Sequence, residues 1–155
     1  MKLGIASTWV QRMAWTLAAR VMASRGPDKI IGDDYLRRWY IIPRNPILNV
    51  YLHEYTGSDD DRALHDHPWP SLSLMLLGEV REHDHHGHRD IGGGEWRLRG
   101  ARYAHRLELR TQAAMTLFIT GPRIRSWGFH CPQGWRHWRD FVDPNDTGRR
   151  GRGCE

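Results

Sequence analysis

The chain has 155 residues and a net charge of +5, with an apolar content ordinary for a globular protein, which suits one folded domain. The charge would permit contact with nucleic acid or a membrane surface, but no recognised nucleic-acid-binding module is present, so specific nucleic-acid recognition is not expected. No stretch is apolar enough to span a membrane, and Cys131 and Cys154 provide no disulfide framework, so we expect a reducing cytoplasm.

Residues 7–24 have the pattern of an amphipathic helix. Ser7 or Thr8 can cap its start, and Gly26-Pro27 ends it. Its apolar side chains form a broad stripe: Val10, Met13, Trp15, Leu17, Val21 and Met22. We expect the helix to pack on the outside of the domain. Contact with a membrane surface or a partner protein is the alternative, because tryptophans and arginines flank the stripe.

Short strand-like segments separated by turns fill most of the remaining chain. They cover residues 36–42, 47–56, 72–77, 95–99, 103–110, 114–120, 123–129 and 135–142. Eight or so short strands after one helix indicate an all-β barrel. The sequence therefore predicts an N-terminal helix with a connector (1–34), a barrel (35–142) and a flexible basic tail (143–155).

Two histidines, His65 and His67, stand two residues apart just before the apolar run 72–77, which Gly78 closes. On an extended chain, residues i and i+2 point to the same side, so both imidazoles can reach one point. Imidazole is the commonest protein ligand for a divalent transition metal. The pattern predicts a metal-binding pair at the mouth of a buried strand.

Other histidines leave alternatives open. His53 lies in a predicted strand on the same face as Tyr51 and Tyr55, either as an inward group near the site or as a hydrogen-bonded structural histidine. The run His83–His88 contains four histidines and an aspartate and could bind metal by itself. It leads into the flexible composition of residues 90–94, and a mobile hairpin tip holds ligands poorly.

The stretch around His65 resembles the first motif of the cupin superfamily. That motif runs His-x-His, then three or four residues, a Glu, six residues and a Gly; here Ser71 stands at the Glu position and Gly78 at the Gly. Gly94 and His105 match the second cupin motif. Elsewhere in that motif this chain has other residues: Gly100, Arg102 and Leu109 replace the usual Pro, Gly and Asn. The wider stretch 35–141 is similar to small uncharacterised cupins of bacteriophage and bacterial genomes.

The resemblance implies a double-stranded β-helix, or jelly-roll barrel, with a metal inside its mouth. His105 would join His65 and His67 as the third ligand of a divalent transition metal, namely Fe, Mn, Ni or Zn. With Ser71 in place of the acidic residue, all the ligands would be neutral. The metal would then keep its double charge and favour an anionic substrate.

Further residues are predicted to serve this site. Glu82 and Tyr103 are the catalytic candidates for acid–base chemistry. Arg62 and Arg125 could bind an anionic substrate, and Trp127 could line its pocket.

We therefore expect a metal-dependent enzyme for a small anionic molecule, with oxygenase chemistry (an iron dioxygenase) or isomerase or lyase chemistry. The alternatives are a non-catalytic ligand-binding cupin and a phage-associated interaction protein. A homodimer is compatible with each of these functions.

Overall fold

A computed structural model describes residues 2–5, 8–32, 34–60, 62–145 and 149–155. In the first half of the chain the elements are β1 (Lys2–Ile5), α1 (Thr8–Ser24), β2 (Lys29–Ile31), β3 (Leu36–Tyr40), β4 (Asn49–Tyr55), β5 (Leu64–His65) and β6 (Ser71–Leu77). In the second half they are β7 (Glu79–Asp84), β8 (Gly87–Gly92), β9 (Glu95–Arg99), β10 (Arg106–Leu109), β11 (Ala114–Thr120), β12 (Gly128–Cys131), β13 (Gly134–His137) and α2 (Trp138–Phe141).

The strands form one large and two small antiparallel sheets. The large sheet has the order β1-β9-β6-β11-β4-β3-β2, and the small sheets have the orders β10-β7-β8 and β13-β12-β5. Apolar side chains of the large sheet, including Met75 and Ala114, pack against Val80 and Ile91 of a small sheet. The sheets therefore enclose a common interior, and the predicted all-β barrel with an N-terminal helix is confirmed. The short helix α2 was not predicted.

Helix α1 covers the outer face of the large sheet. Its Ala18 belongs to a buried cluster that also contains Trp39, Leu52, Leu74, Leu76 and Met115. Val10, Ala14, Val21 and Met22 pack against this cluster. The predicted packing of the helix on the barrel is thus observed. The predicted stripe was too broad, because Met13 and Leu17 are exposed. Ser7, one of the two predicted caps, lies outside the described residues.

Strand alternation decides which side chains face the interior. In β6, Leu74 and Leu76 pack under α1, whereas Met75 packs between the sheets. Gly78 closes this strand with a φ of 75°. A Cβ atom there would lie 2.2 Å from the carbonyl oxygen of Ala113, so only glycine fits the turn.

Elements outside the predicted barrel limits extend the large sheet. β1 pairs with β9, and β2 pairs with β3. Sequence pattern did not identify β1, because a four-residue edge strand before a helix carries almost no periodic signal. The limits drawn at residues 34 and 142 remain a prediction.

The described end of the chain contacts the barrel. The Arg62 guanidinium donates to the carbonyl oxygen of Gly151 at 3.0 Å, and the Gly153 amide donates to the carbonyl oxygen of Phe141 at 3.0 Å. Residues 149–155 thus make contacts that a freely flexible tail would not make.

Cys131 and Cys154 form a disulfide, contrary to the expectation from the sequence. The expectation of a reducing cytoplasm rested on unpaired cysteines and loses that support. None of the described helices is long and apolar enough to cross a membrane.

Candidate metal centre

Backbone pairing brings the three predicted metal ligands together. His65 lies in β5, and its amide and carbonyl groups each bond to those of His105 at 2.9 Å. The amide of His67 donates to the carbonyl oxygen of Ala101 at 3.2 Å. His65 also pairs with Phe129 of β12. Each imidazole therefore projects from backbone fixed by neighbouring strands, although 38 residues separate His67 from His105.

The imidazoles converge on one point. One potential ligand nitrogen from each of His65, His67 and His105 lies within 4.8 Å of the other two. The Nε2 atoms of His67 and His105 are 2.9 Å apart. Among the residues that the structure describes, this is the one group of three His, Cys, Asp or Glu side chains with such spacing.

Two of these histidines are neutral at pH 7. Burial lowers the pKa of His105 to about 4, against an opposing hydrogen bond to Glu82. Burial also holds the pKa of His67 well below its ordinary value, and the neighbouring His65 and His105 lower it further. A neutral imidazole keeps one lone pair, which a metal can use as a ligand.

Glu82 binds the far side of His105. Its Oε1 accepts hydrogen bonds from His105 Nδ1 at 2.8 Å and from Arg99 Nε at 2.6 Å. Because Nδ1 carries the proton, His105 Nε2 presents its lone pair toward the other imidazoles. His67 Nε2 then donates to His105 Nε2, and a metal would take the place of that proton. A carboxylate behind a ligand histidine is the usual arrangement in metal sites.

The surroundings of Glu82 suit a fixed carboxylate better than the predicted catalytic base. Burial alone would raise its pKa, but the hydrogen bond from His105 and the charge of Arg99 hold the pKa far below its ordinary value. Both groups occupy the same oxygen, and the side chain is 2% exposed. Such a carboxylate has little tendency to take up a proton.

Tyr103 lies beside the site, with its ring centroid 5.6 Å from that of His105. Its hydroxyl donates to Asp84 Oδ2 at 2.7 Å. Burial and this hydrogen bond raise the pKa of Tyr103. The phenol is therefore protonated at neutral pH and oriented by Asp84, which also pairs with Arg89.

Asp66, between the two histidines, is a site residue that sequence reasoning missed. Its side chain points away from the imidazoles, as strand alternation requires, and the residue is 1% exposed. Its Oδ1 accepts from the Gly128 amide at 2.9 Å, and its Oδ2 accepts from Trp135 Nε1 at 3.0 Å. Arg125 pairs with it at 2.8 Å, and His130 Nε2 lies 3.2 Å away. Asp66 thus fixes the segment that carries His65 and His67 to β12 and β13.

The arginines predicted to bind substrate are engaged elsewhere. Arg62 pairs with Asp60, with 2.6 Å between Nη2 and Oδ2. Arg125, besides its pair with Asp66, donates to the carbonyl oxygens of His67 and Ala101 at 3.4 and 3.2 Å. These contacts give both guanidinium groups structural roles, so the geometry does not favour the predicted role in substrate binding.

Trp127 does stand beside the metal ligands. Its ring centroid lies 6.5 Å from that of His65, and its other neighbours are Phe129 at 5.6 Å and the stacked Trp138 at 5.8 Å. The indole can therefore form a wall of the site.

Ser71 is buried at the position of the usual cupin glutamate, and its hydroxyl has no hydrogen-bond partner in the described structure. It pairs across the sheet with Arg99 and Thr120. Among the described residues, the group with metal-ligand spacing consists of imidazoles alone. Three neutral nitrogen ligands, with a carboxylate behind one of them, fit a divalent transition metal.

The run His83–His88 forms the hairpin of β7 and β8, in which His83 pairs with His88 across the strands. Two of its histidines contact groups outside the hairpin. His83 Nε2 lies 2.8 Å from Glu108, and the ring of His85 lies 5.2 Å from that of His130. Within the described residues, these side chains form no second group with metal-ligand spacing.

Comparison with known proteins gives the fold a name. No protein-family model and no curated protein matches the sequence. The structure of DMSP lyase DddQ from Ruegeria pomeroyi matches with a TM-score of 0.53 and 18% identity, over 65% of this chain and 54% of that enzyme. This chain therefore spans about half the length of the lyase.

An uncharacterized conserved protein with a double-stranded β-helix domain, from Klebsiella pneumoniae, matches with a TM-score of 0.51 and 12% identity. The match covers 63% of this chain and 86% of that one. Identities this low bear on the fold alone. The chain has a double-stranded β-helix fold, which is the fold that the resemblance of its motifs to cupins implies.

Proposed function

We propose that this chain is a metal-dependent enzyme that holds one divalent transition metal through His65, His67 and His105 and acts on a small organic anion. The observation that carries the proposal is the convergence of three imidazoles with ligand nitrogens within 4.8 Å of one another. The hydrogen bond from His105 Nδ1 to Glu82 supports it, because it selects the tautomer that a metal ligand needs.

The neutral ligand set points to an anionic substrate. When bound, the metal supplies a Lewis acid that polarises a substrate oxygen or lowers the pKa of a bound water. Imidazoles leave its double positive charge uncompensated, and opposite charges attract strongly in a partly dehydrated interior. A carboxylate, thiolate or enolate is therefore the substrate class that we propose.

The surrounding residues take distinct roles in this proposal. Glu82 positions His105 and keeps its own negative charge. Tyr103, which stays protonated, serves as a hydrogen-bond donor or general acid rather than as a base. Trp127 provides an aromatic wall next to His65.

The reaction class depends on the metal. Iron would support oxygenation, whereas Zn, Mn or Ni would support isomerisation or elimination. One solved structure of the same fold is a lyase, and this likeness makes elimination a candidate by analogy only.

The test begins with metal analysis of protein purified without a histidine tag. We expect about one divalent metal per chain. Protein loaded with Fe²⁺ is then mixed with a panel of small carboxylates and thiols, and O₂ uptake and product formation are followed. Binding of an anion to the Fe²⁺-loaded protein without turnover would identify a non-catalytic ligand-binding cupin. Protein without metal, and unable to take any up, would contradict the proposal.

A further inference from the structure

An arginine that sequence reasoning did not select lies on the interior face of the large sheet. Arg38 of β3 pairs with His53 of β4, and His53 pairs with Thr116 of β11. On the same face, Tyr55 packs with Met75 and Val80 between the sheets. Strand alternation therefore turns Arg38 and His53 toward the enclosed interior.

Arg38 differs from other interior arginines in its charge balance. Arg99 is paired with Glu82 and Arg97 with Glu95, with nitrogen–oxygen distances of 2.6 and 3.1 Å. Arg38 forms no ion pair with any carboxylate among the residues that the structure describes. Its Nε donates to His53 Nε2 at 2.8 Å, and its guanidinium lies 4.9 Å from the centre of the Tyr51 ring.

The hydrogen bond to His53 leaves Arg38 an uncompensated cation. A donating guanidinium requires His53 Nε2 to be an acceptor, so the proton is on Nδ1, which faces the Tyr55 hydroxyl at 3.5 Å. Burial and the charge of Arg38 hold the pKa of His53 well below its ordinary value, so that ring is neutral. A partly buried cation without a counter-charge is costly, and an anionic ligand would remove that cost.

The surroundings of Arg38 suit an organic carboxylate. Its two terminal nitrogens make no hydrogen bond to the described residues, and this fork matches the two oxygens of a carboxylate. Aromatic rings stand next to it: His53 stacks with Tyr51 at 5.9 Å and with Phe118 at 4.9 Å. One unpaired guanidinium balances one negative charge, whereas a phosphate would bring nearly two.

Arg38 faces the same interior as the metal ligands. His53, its hydrogen-bond partner, stacks on Phe118, which pairs with Ser73 of β6. The Ser73 hydroxyl accepts from Arg99 Nη1 at 2.8 Å, and Arg99 shares Glu82 with His105. We propose that Arg38, backed by His53 and Tyr51, binds the carboxylate of a substrate whose other end reaches the metal at His65, His67 and His105. The choice of substrate rests on the proposed function, whereas the carboxylate site itself does not.

The first experiment needs no metal. Metal-free protein is titrated with benzoate, and binding is measured by calorimetry. We expect Arg38→Gln to weaken binding about tenfold or more, the typical effect of losing a charge-assisted hydrogen-bond pair. Arg37→Gln is the matched control, because Arg37 is the neighbouring residue on the other face of β3 and pairs with Asp34 and Glu54. It should bind benzoate as the wild type does.

Equal affinity of the wild type and Arg38→Gln for benzoate, or no binding to the wild type, would overturn the site. Tighter binding of phosphate than of benzoate, lost in Arg38→Gln, would overturn the carboxylate class.

The second experiment tests whether one ligand can contact Arg38 and the metal at the same time. Protein loaded with Co²⁺ is titrated with thiol acids from mercaptoacetate to 4-mercaptobutyrate and with their amides, and the cobalt–thiolate absorption is followed. At least one acid should bind about tenfold tighter than its amide, and Arg38→Gln should abolish this preference while Co²⁺ content stays unchanged.

The two failures are distinguishable. A preference for the acid that survives in Arg38→Gln would overturn the role of Arg38 and leave the metal centre standing. Failure of Co²⁺ to bind would contradict the proposed function, while the benzoate titration would still decide the carboxylate site.

Discussion

Two histidines of this chain form a hydrogen bond to a glutamate at the same distance, in very different surroundings. His105 meets Glu82 at 2.8 Å, and their side chains are 6% and 2% exposed. His83 meets Glu108 at 2.8 Å, with 22% and 32% exposure. The first pair stands behind a group of three convergent imidazoles. The second lies in a hairpin whose described histidines form no group with metal-ligand spacing.

The comparison teaches that density of histidines is a poor guide to a metal site. Ligands need a common point of approach, a fixed tautomer and backbone that does not move. The buried pair has these properties, because strand pairing and Arg99 fix both partners. The His83–Glu108 pair is open to water, which can replace its hydrogen bond at little cost in stability. Solvent-accessible pairs of this kind contribute little to the free energy of unfolding. The predictions below separate the two regions.

The largest expected effect is on the buried carboxylate. Glu82→Ala leaves the Arg99 guanidinium buried without its partner, so unfolding free energy should fall by about 3–5 kcal/mol. Metal affinity should fall about 10–100-fold, because His105 loses its orienting acceptor. Glu108→Ala should cost no more than about 1 kcal/mol and leave metal affinity unchanged. Unfolding free energy is measured in urea, and metal affinity is measured with a competitive chelator. Similar losses in Glu82→Ala and Glu108→Ala would show that the two glutamates do not differ in role.

A smaller effect is expected for the carboxylate between the two metal ligands. Asp66→Asn keeps the shape but removes the charge opposite Arg125, so stability should fall by about 1–3 kcal/mol. Metal affinity should also weaken, because Asp66 fixes the segment that carries His65 and His67. Asp90→Asn, which breaks the more exposed pair with Arg81, is the control and should leave stability nearly unchanged. Thermal unfolding that ranks the two variants the other way would count against this role.

Stability should depend on pH through the buried histidine. The folded-state pKa of His105 is about 4, below its unfolded value of 6.5, so the unfolded chain binds the extra proton first. Metal-free protein should therefore be most stable above pH 6.5 and lose on the order of 2–3 kcal/mol through this group as the pH falls toward 4. His105→Gln should flatten this part of the profile. The unfolding free energy of both proteins is measured in urea between pH 4.5 and 6.5. If it changes with pH as steeply in His105→Gln as in the wild type, His105 does not titrate in this way.

The smallest effect is expected at Ser71. Ser71→Glu would place a carboxylate inside the barrel at the position of the usual cupin ligand. Metal should be retained at least as tightly against a chelator, while azide should bind several-fold more weakly, because the charge of the centre falls. Ser71→Gln, of the same shape without the charge, is the control. Unchanged metal retention and azide affinity in Ser71→Glu would show that residue 71 does not face the metal.

Local sequence pattern was sufficient to predict part of the candidate metal site. The two-residue spacing of His65 and His67 and the apolar run before Gly78 predicted a histidine pair at the mouth of a strand. His105 shares its face with apolar leucines, and only the resemblance to the second cupin motif separated it from a core histidine. These signals lie in short stretches of sequence or in a known motif, so they can be recognised without knowing the three-dimensional contacts.

The charge partners could not be predicted, because they depend on contacts distant in sequence. Arg125 pairs with Asp66, which lies 59 residues earlier in the chain. Glu82 pairs with Arg99 and His105, which are also distant from it in sequence. Arg38 looked like an ordinary alternating strand residue, and only its interior position without a carboxylate makes it distinctive. Cys131 and Cys154, 23 residues apart, gave no sign of pairing.

The metal content of variants from the two histidine regions shows which region binds the metal. Wild type, His65→Ala, His105→Ala and a variant with His83, His85, His86 and His88 all changed to Ala are purified without a tag, and metal per chain is measured after dialysis. We predict about one metal in the wild type and in the hairpin variant, and almost none in either single variant. Metal that survives in His65→Ala and His105→Ala but disappears from the hairpin variant would contradict the account.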